Sequence, residues 1–215
     1  MSNELFKRIF SSIILLPVTF FIIIKGSYLF NFFILICFSL TAHEWHMMSK
    51  KKPFYISGFI FLIFSFYSIY HLRNSFDGDY IYFLIITLIC ISTDIGGYTF
   101  GKIIKGPKIT KISPKKTYSG MIGGYLLSIL FLSVFFNSSY FFANKLDLSL
   151  KWLIFIFAVS TISQLGDIVI SYFKRLTNIK DTGKIIPGHG GLLDRIDGMI
   201  FAYPFSYIIL ELNFF

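Results

Sequence analysis

Seven runs of apolar residues, broken by short charged or glycine-rich stretches, limit what this chain can fold into. They fall at roughly 9–24, 28–42, 54–70, 80–95, 121–136, 152–170 and 199–212. A segment inside hydrocarbon must satisfy its own backbone groups, and a helix does so locally, so each run reads as a membrane-spanning helix. Several are shorter than the ~20 residues an upright span needs. Pro17 and Pro204 are expected to kink the first and last helices, and the first two runs read as a tight hairpin that only partly crosses. Charged residues make up 14% of the 215 residues, against roughly 25% in soluble domains, and mean hydropathy is +0.70. The expected fold is all-α and polytopic. It is one membrane-embedded domain over residues 1–215 with about seven transmembrane helices.

A net charge of +9 suits either nucleic acid or an anionic membrane surface, and its distribution selects the membrane. With the N-terminus placed in the cytoplasm, 16 of the 20 Lys and Arg residues fall on the inner side, leaving Lys25, Arg73, Lys145 and Lys151 outside. That bias predicts N-in, C-out topology and a cytoplasmic face that attracts anionic headgroups. No nucleic-acid partner is expected. Cys37 and Cys90 both lie inside apolar runs and read as small buried hydrophobes rather than a disulfide. The first run lacks a small-residue cleavage site and is followed at once by a second, so no cleaved signal peptide is expected.

Three polar clusters fall on the inferred cytoplasmic side. The first is His43-Glu44-Trp45-His46 with Lys50, Lys51 and Lys52. It reads as an interfacial belt anchoring a helix end, with Glu44 as the residue that keeps a functional role open. The second spans about 94–124 and contains Asp94, Gly97, Gly101, Lys102 and Ser113-Pro114-Lys115-Lys116-Thr117. Its glycines suit close helix packing. Its hydroxyls and lysines before a helix start suit an anion cradle, in particular Ser113, Lys116 and Thr117. The third spans about 164–198. Asp167, Ser171 and Lys174 form one stripe if the helix is continuous, and Asp167 is a boundary acid, a functional candidate by position. Lys174 and Arg175 could simply snorkel at a helix end. Asp194 and Asp197 are three apart, which puts two carboxylates on one helical face; such a pair needs a cation between them. Arg195, between them, could instead close an internal ion-pair network. Lys180, Asp181, His189, Gly190 and Gly191 complete the block.

Carboxylates that hold magnesium beside lysines that hold phosphate are the equipment of phosphoryl or nucleotidyl transfer, where catalysis is largely positioning and charge neutralisation. The signatures of P-loop enzymes, kinases, zinc proteases and serine hydrolases are absent. Chemistry alone therefore points to a magnesium-dependent membrane enzyme acting on phosphate esters.

The spacing Ser171-x2-Lys174-Arg175-x4-Lys180-Asp181-x7-His189-Gly190-Gly191-x2-Asp194-Arg195-x-Asp197 resembles the signature of the phosphatidate cytidylyltransferases. Asp94-x2-Gly97-Tyr98-x2-Gly101-Lys102 and Ser113 to Thr117 are similar to a second block of that family, and residues 5–17 with Glu44-Trp45 to its amino-terminal region. Known members are commonly longer, whereas only about forty residues separate Lys52 from Asp94 here. The resemblance implies that CTP and phosphatidate give CDP-diacylglycerol and pyrophosphate at a bacterial inner membrane, with the active site facing the cytoplasm. It implies Mg2+, with a second cation as an option, held by Asp167, Asp194 and Asp197. Lys174, Arg175, Lys180 and Arg195 are then expected to neutralise phosphate charge, and His189, Gly190 and Gly191 to shape the nucleotide loop. Asp94, Lys102, Ser171 and Asp181 are expected to line the substrate site. A homodimer stays open, as do two other readings: a CTP-dependent transferase acting on another lipid, and a non-catalytic carrier of anionic lipids.

Overall fold

The computed structural model describes residues 17–74, 80–137, 149–185 and 190–212. Five helices are long and apolar enough to cross a membrane: α1 (Ser27–Ser49), α2 (Tyr55–Asn74), α3 (Ile81–Ile103), α4 (Tyr118–Phe136) and α5 (Leu150–Leu176). A single turn, α6 (Leu193–Ile196), leads into α7 (Met199–Glu211), which is 13 residues long with Pro204 inside it. Residues 17–25 are also helical. Among the described residues, β structure amounts to an isolated bridge between Lys108 and Thr117 and a bridge position at Gly190. Five of the seven expected spans thus form membrane-length helices. The last run forms a helix too short to count as one, and most of the first lies outside the described residues.

Three helices run past the apolar runs that announced them. The second run ends near residue 42 but α1 continues to Ser49, α3 continues from Ile95 to Ile103, and α5 continues from Ile170 to Leu176. Parts of these continuations pack on other protein: Glu44, Trp45 and Met48 on α1 and Lys174 on α5 are buried, whereas Lys102 and Ile103 on α3 are exposed. His43 to His46 therefore lie within α1, and the interfacial-belt reading fails for Glu44 and Trp45, which are both buried.

The bundle is apolar outside and lightly polar within. Ile56, Ile60 and Ile63 expose one face of α2, and Leu126, Leu130 and Val134 one face of α4. Inside, small hydroxyls bridge helices: Ser65 Oγ donates to the Ile200 carbonyl at 2.8 Å, and Thr93 Oγ1 to Ser160 Oγ at 2.8 Å. Lipid tails are as apolar as leucine, so packing of this kind, rather than hydrophobic contrast, must hold the helices together.

The closest helix pair is α3 with α4. A methyl group on Gly96 would collide with the Gly123 carbonyl, one on Gly120 would sit 2.6 Å from the Gly97 oxygen, and one on Gly124 would sit 3.0 Å from the Thr93 oxygen. Glycine on both faces lets the two backbones touch, which brings Asp94 on α3 towards Lys116 just before α4.

One end of the bundle is closed by Arg73. Its Nε donates to the Ile23 carbonyl at 2.7 Å and its Nη2 to the Ile24 carbonyl at 3.3 Å. Its guanidinium lies over the rings of Phe30 and Tyr80, at 5.6 and 5.5 Å. Gly26, at φ +62°, makes the bend between residues 17–25 and α1, and a side chain there would run into Arg73. Nearby at the same end, Tyr82 stacks on Trp152 with 19° between the rings. Lys25, Arg73 and Lys151, three of the four cations assigned to the outer side, gather here. The three polar clusters gather at the opposite end.

Candidate active site

The polar end contains two adjoining networks. The first joins α3, the 104–117 loop and α5. Lys116 Nζ meets Asp167 Oδ2 at 2.6 Å and donates to the Gln164 carbonyl at 3.2 Å. Asp94 faces the charges of Asp167, Lys116 and Arg195. Asp197 lies within hydrogen-bonding reach of Asp167 and also accepts the Gly198 N–H at 3.1 Å. Burial, followed by the charge of Asp167 and the bond to it, holds the Asp197 carboxyl well above its ordinary range. A cavity of about 210 Å³ opens among Asp94, Ser113, Lys115, Lys116, Thr117 and Asp167.

The loop that delivers Lys116 is built locally. The Ile109 N–H donates to the Lys116 carbonyl at 3.0 Å, Tyr118 N–H to Pro107 at 3.1 Å, and Lys116 N–H to Ser113 at 3.0 Å. Thr117 is the N-cap of α4, and its hydroxyl accepts the Gly120 N–H at 3.2 Å. The hydroxyl expected to hold phosphate is thus engaged as a cap, while Ser113 and Lys116 line the cavity.

The second network ties residues 174–193 to α1. Lys174, buried on α5, meets Asp194 Oδ1 at 2.8 Å. Asp194 Oδ2 accepts the N–H groups of Thr182 at 2.8 Å and Gly191 at 3.1 Å. Glu44, 2% exposed, takes three donors from the same segment. Thr182 Oγ1 reaches its Oε2 at 2.9 Å, Leu192 N–H its Oε1 at 2.8 Å, and Leu193 N–H its Oε2 at 2.8 Å. Two carboxylates therefore fasten both ends of this loop. Gly190 adopts φ +91°, and a side chain on Gly191 would strike Thr182 and Glu44, so glycine is required at both positions. Burial alone would raise the Asp194 pKa; Lys174 and the two N–H donors outweigh it and hold the carboxyl below its ordinary range.

Lys174 pairs with Asp194, and its charge also reaches Asp197, which lies against Asp167. Both oxygens of Asp194 have donors in this arrangement, Lys174 on Oδ1 and the Thr182 and Gly191 N–H groups on Oδ2. Among the described residues, no group of three or more His, Cys, Asp or Glu side chains stands ready as a metal cage. Asp167 and Asp197 as a close pair, with Asp94 opposite, nevertheless suit Mg2+. That ion prefers oxygen donors, and it usually binds through one or two carboxylates plus substrate phosphates rather than through a complete protein cage.

The remaining expected site residues lie around these networks. Arg175 is exposed and donates to the Ile179 carbonyl at 3.3 Å. Lys180 and Asp181 are exposed on the loop, and Ser171 is half-buried on α5. Lys102 points to Tyr98, 3.3 Å from its hydroxyl, and does not line the cavity. Arg195 is exposed within α6. His189 lies outside the described residues. Sequence reasoning missed Gln164 as a cavity residue and the full role of Glu44. The available signal was the register: Glu44 precedes Trp45 by one residue and Met48 by four, and all three are buried.

Fold and site together define a multi-pass helical membrane protein whose carboxylates and cations meet at one end around a polar cavity. The model of the Cytidylyltransferase family matches residues 53–213. Phosphatidate cytidylyltransferase of Rickettsia bellii (strain RML369-C) is 35% identical over 217 residues, covering 96% of this chain and 91% of that protein. The Rickettsia felis protein of the same name is 34% identical over 217 residues, covering 96% and 92%. That of Bacillus subtilis (strain 168) is 34% identical over 155 residues, covering 71% and 56%. The chain belongs to the cytidylyltransferase family. It matches nearly the whole of the Rickettsia proteins, so its short middle region is no obstacle to membership.

Proposed function

We propose that this chain transfers the cytidylyl group of CTP to phosphatidate, giving CDP-diacylglycerol and pyrophosphate. Its family and its namesake relatives support the reaction. The observation that carries the residue assignment is the meeting of Asp94, Lys116 and Asp167 at one cavity, with Asp197 against Asp167. A phosphate oxygen of phosphatidate attacks the α-phosphorus of CTP. The new P–O bond forms as the bond from the α-phosphorus to the bridging oxygen breaks, and the electron pair leaves on pyrophosphate. No side-chain nucleophile is needed, because phosphatidate brings its own anionic oxygen. Bound magnesium would neutralise phosphate charge as it shifts to the leaving group; Asp167 and Asp197, with Asp94 beside them, would hold it. Lys116 exchanges Asp167 for a substrate phosphate, and Ser113 and Lys115 border the same space. Arg175, Lys180 and Arg195 supply further positive charge around the cavity. Lys174, Asp194 and Glu44 hold Thr182 and residues 191–193 in place, with Gly190 and Gly191 packed close against Asp194, Thr182 and Glu44.

The orientation belongs to the same proposal. The N-terminus is cytoplasmic, and the site faces the cytoplasm of a bacterial inner membrane. The clustering of Lys25, Arg73 and Lys151 away from the site supports this sidedness. The deciding experiment is pyrophosphate release by the purified protein from CTP and Mg2+, with and without phosphatidate. Release that requires all three components is expected. A folded protein that releases none with phosphatidate would overturn the assignment.

A further inference from the structure

An apolar cavity of about 580 Å³ runs between residues 17–25, α1, α2, α3 and α7, within the ~300–1,000 Å³ range of small-molecule sites. Four of its wall residues, Phe83, Thr87, Ile91 and Ile95, recur at four-residue steps on α3. They form one stripe along roughly 18 Å of helix, at 1.5 Å per residue. The stripe begins beside Asp94 and ends near Tyr80, at the Arg73 end of the bundle. The cavity therefore runs lengthwise through the protein from the polar end.

Its two ends differ. At the polar end Leu192, Arg195 and Ile196 border it, and they belong to the same short segment as Asp194 and Asp197. At the far end Phe66, Ile69 and Phe83 close it with aromatic and branched side chains. Three hydroxyls lie in the wall, and two of them meet: Thr87 Oγ1 donates to the Phe83 carbonyl at 2.7 Å and lies 2.9 Å from the Tyr203 hydroxyl. The wall is thus mostly apolar, with Arg195 at its polar end.

We propose that this cavity holds an acyl chain of the phosphatidate substrate, with Arg195 at its mouth facing the lipid phosphate. The proposal rests on the cytidylyl-transfer reading above and adds a lipid subsite to it. Three features favour an acyl chain over other occupants. The cavity is long and apolar, its only cationic side chain among the described residues sits at the polar end, and that end adjoins Asp94, which feels the charge of Arg195. A chain moving in from the bilayer leaves one apolar medium for another, so hydrophobic transfer contributes little. Selection must then come from fit, and narrowing the cavity should penalise long chains more than short ones.

Two measurements test this on the full-length protein in detergent. The first uses a phosphatidate carrying a diazirine at one chain end, irradiated without CTP and mapped by peptide mass spectrometry. Labelling is expected on the peptides containing Cys37, Phe66, Ile69 or Phe83, with competition by excess phosphatidate and not by phosphatidylcholine. Labels confined to lipid-facing positions such as Ile60 or Phe131, or equal competition by both lipids, overturn the proposal. The second narrows the cavity with Cys37→Phe. The ratio of kcat/KM for dioleoyl over dioctanoyl phosphatidate should fall at least about tenfold, in protein shown to be folded by thermal unfolding. An unchanged ratio also overturns it. Specific labelling in a protein that never releases pyrophosphate would keep the lipid site and remove the reaction; turnover with labels elsewhere would do the reverse.

Discussion

Glu44 receives three donors through two oxygens while almost wholly buried. Glutamine at this position would turn an amide N–H towards the Leu192 or Leu193 N–H and leave one donor unmatched. Hydrogen bonds to charged groups contribute about 1.5–3 kcal/mol each. Glu44→Gln should therefore lower stability by about 2 kcal/mol, visible as a drop of several degrees in the thermal midpoint in detergent, with loss of turnover. A variant as stable and active as the parent would remove Glu44 from the framework. Asp194 gives a pH signature. Its folded pKa is depressed, so the stability it contributes is present above the ordinary carboxylate value of 3.8 and is lost as pH falls below it. Asp194→Asn should flatten the acid limb of the stability–pH curve; an unchanged limb would contradict the Lys174 pairing. The crowding of Asp167 and Asp197 predicts a trade-off. Asp197→Asn should raise the thermal midpoint of the metal-free protein and lower kcat by about 100-fold or more. Lower stability with intact turnover would refute that assignment.

Helices make the membrane architecture readable, because hydrocarbon permits little else and apolar runs mark where they are. That reasoning located all five long helices but cut three short, since it used hydrophobicity as the stop signal. Their polar continuations hold Glu44, Lys102 and Lys174. The acidic and basic membership of the site was visible as charge in an apolar chain. The pairing inside it was not, because it depends on contacts between residues far apart in sequence. Asp194 illustrates this: its spacing to Asp197 was visible, whereas its bonds to Lys174 and to the Thr182 and Gly191 N–H groups were not. At α3–α4 the helices offer a neighbouring pair of tests. Gly96→Ala drives a methyl into the Gly123 backbone, while the methyl of Gly97→Ala would stay 3.8 Å from its nearest neighbour, the Gly120 oxygen. Gly96→Ala should destabilise by about 1–3 kcal/mol and Gly97→Ala should not, as read by thermal unfolding. Equal effects would mean that the two helices are not in contact as described.

The whole molecule is polarised, with a small cationic clamp at one end and the charged site at the other. Cys37 is partly buried and Cys90 buried, so single cysteines placed elsewhere report sidedness against a low background. In spheroplasts, a membrane-impermeant maleimide should label a cysteine at Lys25 and should miss one at Lys108 until the membrane is broken. The opposite pattern would invert the proposed topology.

The Glu44 contacts also bear on how the protein is made. Its partners Thr182, Leu192 and Leu193 lie 138, 148 and 149 residues further along. A ribosome therefore releases α1 long before anything can neutralise its acid, and an unmatched carboxylate at membrane depth is costly. During synthesis the first hairpin should be held loosely or shielded by the insertion machinery. The active loop then locks only when the last segment arrives, so a chain truncated before residue 193 would have no working site.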